Sequence, residues 1–278
     1  MTKTRPTPRL ATINMINFAR RFRVATTGLA DVLTPSQVRA FSDCELRWFY
    51  EHLLGLPDPP TAMQALDRAI RTALMANFRH KLDAKEDLRT EGVVGLFRRA
   101  WEQQQDLAVF CNDQSPESLA CTGEALIRLY MQAAAPSIQP ESIEQPFEGV
   151  LGSVRIRGQI DVVDVDGTII DIVTVASLPA RVDPMHRFEL GTCARLVYGA
   201  SGIVRSDILV ASSPAQHLTQ TWQALAADNR WMDELFPLAQ EAMRRGYYMP
   251  HRNWTGCSRH TCPYWRRCEQ DFGGVVES

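Results

Sequence analysis

Two aspartates stand on either side of a short turn in the middle of the chain. Asp161 ends the run GQID and Asp171 lies within IIDIVT, with Asp166-Gly167 between the two β-rich runs. An Asp-Gly pair in that position predicts a hairpin, which places the two carboxylates on neighbouring antiparallel strands. Such ligands suit Mg²⁺ or Mn²⁺, and a metal held by them can activate water for phosphodiester hydrolysis. The alternative is a plain hairpin that carries two solvated aspartates.

The cysteines form the second group with chemical potential. Cys257, Cys262 and Cys268 lie within the twelve residues CSRHTCPYWRRC, and the chain has seven cysteines in all. An odd, unevenly bunched set without a signal peptide favours metal ligation over a disulfide framework. A local zinc site would use these three with His260, and ordinary buried thiols are a further alternative. The remaining cysteines are interpreted as small core residues: Cys111, Cys121 and Cys193.

Helices should dominate the first half of the chain. Residues 34–56 predict a helix that carries Cys44, with Thr34 as its N-cap and Pro35 at its first position. Residues 65–80 are amphipathic at helical spacing, and residues 90–135 continue as helices with a polar break at 112–116. We interpret residues 60–140 as a helical insertion.

The sheet should follow that insertion. Two antiparallel strands are predicted at residues 154–165 and 168–175, then a helix at 186–200 and a strand at 207–211. Residues 216–245 are predicted to be helical throughout, and they lead into the cysteine-rich tail at about 250–270. The order predicts an α/β fold with a mixed sheet flanked by helices.

Composition excludes several classes of protein. The apolar share of 45%, the charged share of 22% and the net charge of −2 are those of an ordinary globular protein. No apolar run is long enough to span a membrane, and no secretory signal is visible, so a cytoplasmic protein is expected. Residues 1–30 form a basic arm that would meet nucleic acid or an acidic protein surface, or would be a solvated leader, while residues 31–278 form the main domain.

The hairpin and its flanks resemble a known family. The pattern G-x-x-D, turn, hydrophobic-hydrophobic-D-x-x-T is similar to the RecB-type branch of the PD-(D/E)XK nucleases, including AddB-like proteins and the iron-sulfur nucleases of CRISPR adaptation. The opening segment 34–56 and the tail motif Cys262-Pro263-Tyr264 are also similar. The likeness spans roughly residues 33–270 in one order, so it is more specific than any single motif.

The resemblance implies a set of site residues. Asp161 and Asp171, with Glu144, correspond to the acidic metal-binding residues of the nuclease site. A [4Fe-4S] cluster is implied as well, because four thiolates are what such a cluster requires. Its ligands would staple the N-terminal helix to the tail: Cys44, Cys257, Cys262 and Cys268. The gap between the second and third of the four cysteines is four residues here and usually two in the family.

The departures from the family concern catalysis. The lysine expected two residues after the second aspartate is Val173, and lysine occurs only at positions 3, 81 and 85. Arg157, on the neighbouring strand, is the obvious cationic substitute. The family usually has a glycine followed four residues later by a histidine, and Asp67 and Arg71 align with these two positions. The family also has a glutamine four residues before a tyrosine, and here Ala194 precedes Tyr198 at that spacing. A valine can neither move a proton nor stabilise an anion.

These observations predict a degenerate member that binds DNA without cleaving it. It would work in a recombination, repair or defence complex with a protein partner such as a helicase. Five arginines are candidates for phosphate contacts: Arg155, Arg157, Arg181, Arg187 and Arg195. The alternatives are an active Mg²⁺- or Mn²⁺-dependent nuclease with a rebuilt site, and a purely structural subunit.

Overall fold

The computed structural model describes residues 31–110, 114–178, 183–199, 202–223, 225–246 and 248–277. The predicted basic arm and Arg181 lie outside the described residues. Six strands form one sheet in the described part: β1 (Val32–Leu33), β2 (Pro140–Leu151), β3 (Val154–Asp164), β4 (Ile169–Val175), β5 (Ile203–Val210) and β6 (Gln216–Gln223). No helix among these residues is long and apolar enough to cross a membrane.

Eight α-helices accompany the sheet in the described ranges. They are α1 (Pro35–Asp43), α2 (Glu45–Trp48), α3 (Ala62–Ala84), α4 (Thr90–Gln105), α5 (Pro116–Ala133), α6 (Pro184–Tyr198), α7 (Ala226–Arg245) and α8 (Trp265–Phe272). Short turns of π-helix at Phe49–Leu53 and of 3₁₀-helix at Ala135–Ser137 follow α2 and α5. Helices α3, α4 and α5 all lie within residues 60–140.

The sheet is mixed, as predicted. Its order is β1-β3-β4-β5-β6, with β2 paired to β3 as well. Strands β3 and β4 are antiparallel, with Val162 opposite Ile170, and the predicted Asp166-Gly167 turn joins them. Gly167 has φ 83°, which a glycine adopts without strain, and Oδ1 of Asp166 accepts the N–H of Thr168 at 2.9 Å. The hairpin prediction is therefore confirmed.

The predicted helix over residues 216–245 is wrong in its first third. Residues 216–223 are strand β6, antiparallel to β5, and the helix α7 begins only at Ala226. Leu218 and Trp222 are four residues apart, a spacing typical of a helix, while the other residues of the segment are polar. The segment forms a strand because all eight of its residues pair with β5. It lies at the edge of the sheet, where a strand needs only a weak hydrophobic pattern.

The helix predicted over residues 34–56 is interrupted at Cys44. Thr34 and Gln37 cap α1 reciprocally, at 3.0 and 3.1 Å, as the N-cap prediction requires. Cys44 has an extended backbone, with φ −160° and ψ 105°, and separates α1 from α2. The cysteine therefore lies at a corner of the chain and not within a helix.

The sheet separates two hydrophobic cores. Helices α3, α4 and α5 pack over one face, where Val162 and Ile170 point. Helices α1, α6 and α7 pack over the other face. Val163 and Ile169, the neighbours of Val162 and Ile170 in the same strands, point to that face. Alternation along β3 and β4 thus fills both cores and leaves the polar residues at the open end of the hairpin.

Candidate functional site

A cleft of about 860 Å³ opens where β3 and β4 meet the first turn of α1, helix α3 and the beginning of α6. Both predicted aspartates line it. The residues that determine its chemistry are Asp161, Asp171, Arg71, Val173, His186 and Arg157. The antiparallel pairing of β3 with β4 brings the two aspartates together, α3 supplies the Arg71 guanidinium, and α6 supplies the His186 imidazole.

Arg71 bridges the two aspartates. Its Nη2 donates to Oδ2 of Asp161 and, at 3.0 Å, to Oδ1 of Asp171. The aspartate side chains are 13% and 15% exposed, so this is a mostly buried ion pair. Nε of Arg71 is buried and has no hydrogen-bond partner in the described part of the chain. Sequence alignment identified Arg71 only as the residue at a lost histidine position, and its contact with both acids was not foreseen.

Burial and neighbouring charge raise the pKa of two acids in the cleft. Burial, followed by the charge of Asp171, raises the pKa of Asp161 to about 7, although Arg71 opposes the shift. Burial also raises the pKa of Asp67, whose Oδ1 accepts the backbone N–H of Thr174 at 2.7 Å. Burial therefore favours the neutral form of both carboxyl groups, and the Arg71 guanidinium opposes that shift.

His186 is a site residue that sequence reasoning missed. Its Nε2 lies 3.4 Å from Oδ2 of Asp171 and 3.1 Å from Oγ of Ser206, and its Nδ1 lies 3.9 Å from Oε2 of Glu189. Glu189 in turn accepts from Nη1 of Arg39 at 2.8 Å. The available signal was Asp183-Pro184, which predicts a helix start that brings the first turn of α6, with His186, to the cleft.

Glu144 lies beside the aspartate pair but is engaged separately. Its carboxylate contacts Nη2 of Arg79, one of the exposed arginines of α3. A smaller cavity of about 270 Å³ is lined by Glu144, Arg79, Arg71 and Asp161. The three acids predicted from the sequence are therefore close together, and each one is paired with an arginine of α3.

Among the described residues, no lysine lines the cleft. Val173 occupies the wall beside Asp171, at the position where the family resemblance expects lysine. Lys81 is committed elsewhere, since its Nζ donates to Asp87 at 2.9 Å and to the carbonyl of Ala135 at 2.7 Å. Ala194 is fully buried and offers no polar atom in place of the family's glutamine. The catalytic departures seen in the sequence are thus present in three dimensions.

A divalent ion does not fit the aspartate pair as it stands. The two oxygens that would ligate it already accept from Arg71, a cation that cannot lose its proton. Within the described ranges, no group of three or more His, Cys, Asp or Glu side chains is arranged to hold a metal ion.

Four cysteines lie near one another around the C-terminal end of α1. Cys44 and Cys268 are buried in a third hydrophobic cluster, and Cys262 packs against it. Burial raises the pKa of Cys262 to about 11 and that of Cys257 to a lesser degree, and nearby Cys44 adds to both shifts. The four thiols are thus neighbours, but within the described residues they are not arranged as a metal-binding group.

The tail is tied to the N-terminal segment by more than the cysteines. Tyr50 Oη donates to Asp271 at 2.7 Å, and Tyr264 Oη donates to the carbonyl of Leu56 at 3.0 Å. The N–H of Leu46 reaches the carbonyl of Met249 at 3.2 Å. The tail therefore has protein contacts of its own with the segment that carries Cys44.

The predicted phosphate-binding arginines differ in availability. Arg157 lines the cleft, and in the described ranges it makes no side-chain hydrogen bond or ion pair. Arg155 pairs with Glu148, whereas Arg195 joins α6 to α7 through Asp233 at 2.8 Å. Arg187 pairs with Asp228 and lies over a tryptophan ring. Arg157 is the member of this set that faces the cleft unpaired.

Comparison with known proteins supports the fold. Residues 32–269 match the family model described as the PD-(D/E)XK nuclease superfamily. A protein from Eubacterium rectale, proposed to be an exonuclease, has a similar structure, with 10% identity, a TM-score of 0.53 and 92% of each chain covered. SSO0001 is similar at 15% identity and a TM-score of 0.36, over 85% of this chain and 96% of that chain. None of the curated proteins matches in sequence. At these identities the structural likeness concerns the fold alone.

Proposed function

Because the chain belongs to the PD-(D/E)XK nuclease superfamily, we propose that it is a degenerate RecB-type member that binds DNA and does not cleave it. One observation carries the proposal. The cleft keeps both aspartates of the nuclease hairpin, but Arg71 bridges them and Val173 stands in the place of the lysine. The site has thus kept the framework of the nuclease site and lost the parts that perform hydrolysis.

The loss of the lysine has a direct chemical consequence. Hydrolysis needs a group that orients or deprotonates the attacking water, and Val173 has no proton to exchange and no charge. Removal of one positioned acid-base group costs about 10²- to 10⁴-fold in rate. His186 lies near Asp171, but its ring nitrogens face Asp171, Ser206 and Glu189. Glu189 and Asp171 thus restrain the one imidazole of the cleft.

Binding would depend on the guanidinium groups that remain accessible. Arg157 is exposed at the mouth of the cleft and has no acidic partner among the described residues. Arginine-phosphate contacts carry no base information, so the affinity should be salt-sensitive and largely independent of sequence. Deletion of residues 1–24, which lie outside the described residues, should weaken it further if the basic arm contributes.

The test combines cleavage with binding. The purified full chain is incubated with single- and double-stranded DNA in Mg²⁺ or Mn²⁺, and fluorescence anisotropy measures DNA binding from about 50 to about 200 mM salt. We expect binding that weakens steeply with salt, and no cleavage. Cleavage in Mn²⁺ that Asp171→Ala abolishes would show an active nuclease with a rebuilt site. Absence of binding at low salt would show instead a structural subunit.

We propose further that Cys44, Cys257, Cys262 and Cys268 hold a [4Fe-4S] cluster. Their convergence from the α1–α2 corner and the tail supports this assignment. Such a cluster would add a covalent staple to the tyrosine and backbone contacts that already join the two segments. Protein purified without oxygen should be brown, and serine at any of the four should bleach it. Stoichiometric zinc that survives Cys44→Ser would assign the local site with His260.

We also propose that the protein binds DNA as part of a larger complex. A nuclease fold that binds DNA without hydrolysis suits a cytoplasmic recombination, repair or defence complex, with a helicase as one kind of partner. The protein that copurifies with the full chain from its own cells identifies that partner. A preparation that carries DNA alone and no second protein would contradict the expectation of a complex.

A further inference from the structure

One nitrogen of Arg71 occupies the point between the carboxylates of the hairpin. Nη2 donates both to Oδ2 of Asp161 and to Oδ1 of Asp171. A divalent cation shared by the same two residues would need those oxygens, because hard cations bind carboxylate oxygen. The guanidinium and a metal ion therefore compete for one place.

The backbone of α3 keeps the guanidinium at that point. Asp67 lies one turn before Arg71 and accepts the N–H of Thr174, which fastens α3 to the strand that carries Asp171. Leu66 and Ile70, on the same stretch of helix, are fully buried. A group tethered next to its partner competes at an effective concentration of about millimolar or more, whereas a metal ion must come from solution.

The two carboxylates need a cation at this position. Both are mostly buried, and an uncompensated buried carboxylate is costly. Loss of the Arg71 guanidinium would leave Asp161 and Asp171 facing each other with no cation between them. Nε2 of His186 lies 3.4 Å from the other oxygen of Asp171, Oδ2.

We propose that Arg71 is a resident cation that takes the place of a divalent metal ion. The native cleft then excludes Mg²⁺ and Mn²⁺, and the exchange Arg71→Gln frees Asp161 and Asp171 to share one Mn²⁺. This inference rests on the proposed non-hydrolytic function and names Arg71 as the group that occupies the metal position between Asp161 and Asp171. It concerns metal binding, so it is measured without any cleavage assay.

The experiment titrates Mn²⁺ into the full chain and follows free Mn²⁺ by electron paramagnetic resonance. The wild type should show no saturable binding up to millimolar Mn²⁺. Arg71→Gln should bind one Mn²⁺ per chain at least about tenfold more tightly than the wild type, a difference of about 1.4 kcal/mol or more. Its melting temperature should rise with Mn²⁺, and Asp171→Asn in the same background should abolish both effects.

Two matched variants isolate the role of the charge at position 71. Arg71→Lys keeps a cation there and should exclude Mn²⁺ like the wild type. Arg79→Gln removes another arginine of α3, which pairs with the exposed Glu144, and should not create a site at Asp171. If Arg71→Gln folds and binds no Mn²⁺, the inference is wrong.

The wild-type titration decides the matter even if Arg71→Gln does not fold. One tightly bound Mn²⁺ in the wild type, lost in Asp171→Asn, overturns the inference. If that protein still leaves DNA intact, the proposed function stands and only the role of Arg71 is refuted. If it also cleaves DNA, both are refuted.

Discussion

Asp207 is fully buried and Asp161 is mostly buried, and each faces an arginine, yet their surroundings shift their pKa values in opposite directions. Asp207, on β5, is fully buried and accepts from Nε and Nη2 of Arg205, each at 2.9 Å. Thr219 and Tyr130 donate to it as well, each at 2.8 Å. Burial opposes the charge, but hydrogen bonds from His217, Arg205 and Thr219 outweigh it and lower the pKa of Asp207.

Asp161 has fewer donors and a competing acid. It contacts one nitrogen of Arg71, which it shares with Asp171, and its pKa is raised to about 7 by burial and by Asp171. The contrast shows that burial beside an arginine does not by itself make an aspartate structural. The number of donors decides: a carboxylate with several donors keeps its charge and stabilises the fold, whereas a carboxylate with one shared donor has a raised pKa.

The largest effect is expected at Asp207. Asp207→Ala leaves Arg205 and Tyr130 without their shared acceptor in a buried site, which should lower the free energy of unfolding by about 3–5 kcal/mol. Urea denaturation at pH 7 measures it. Asp233→Ala breaks a more exposed pair with Arg195 and serves as the control, with an expected loss of at most about 1 kcal/mol. Equal losses in the two variants would contradict the comparison.

A smaller effect should appear in the pH dependence of stability. The folded-state pKa of Asp161 lies above its ordinary value, so the folded protein holds this proton more tightly than the unfolded chain does. Stability should therefore fall as the pH rises from about 4 to 7. Asp161→Asn should reduce that fall by about 1–2 kcal/mol between pH 5 and 8, since each pKa unit corresponds to about 1.4 kcal/mol.

The control for this measurement lies in the turn of the same hairpin. Hydrogen bonds from Thr168 lower the pKa of Asp166, so its contribution is present above its unfolded value and is lost only in acid. Asp166→Asn should therefore leave the slope between pH 5 and 8 unchanged. If Asp161→Asn also leaves it unchanged, the proton does not belong to the aspartate pair.

The smallest effect is expected at the exposed end of the acidic group. Arg79 and Glu144 are 54% and 39% exposed, and solvent screens such a pair. Arg79→Ala should lower the free energy of unfolding by less than about 1 kcal/mol, and added salt should reduce the difference. A loss comparable to that of Asp207→Ala would show that Glu144 is part of the buried network.

Much of the fold could be predicted because its signals are local. The Asp166-Gly167 turn predicted the hairpin and the pairing of Asp161 with Asp171, and Thr34 with Pro35 predicted the start of α1. The segment 216–223 was misassigned because Leu218 and Trp222 have helical spacing, and only pairing with β5 reveals the strand. The corner at Cys44 was also missed, because the apolar residues on both sides of it have helical spacing.

The candidate site also has features that the sequence predicts and features that only the tertiary structure shows. The sequence alone shows that residue 173 is valine and that no lysine occurs after position 85, so no strand after the helical insertion can supply a lysine to the site. Tertiary structure alone decides what stands there instead. Arg71 reaches acids 90 and 100 residues away, and His186 reaches Asp171 from a different helix. Turn and strand preferences act over a few residues, whereas an ion pair between distant elements depends on how whole helices pack against the sheet.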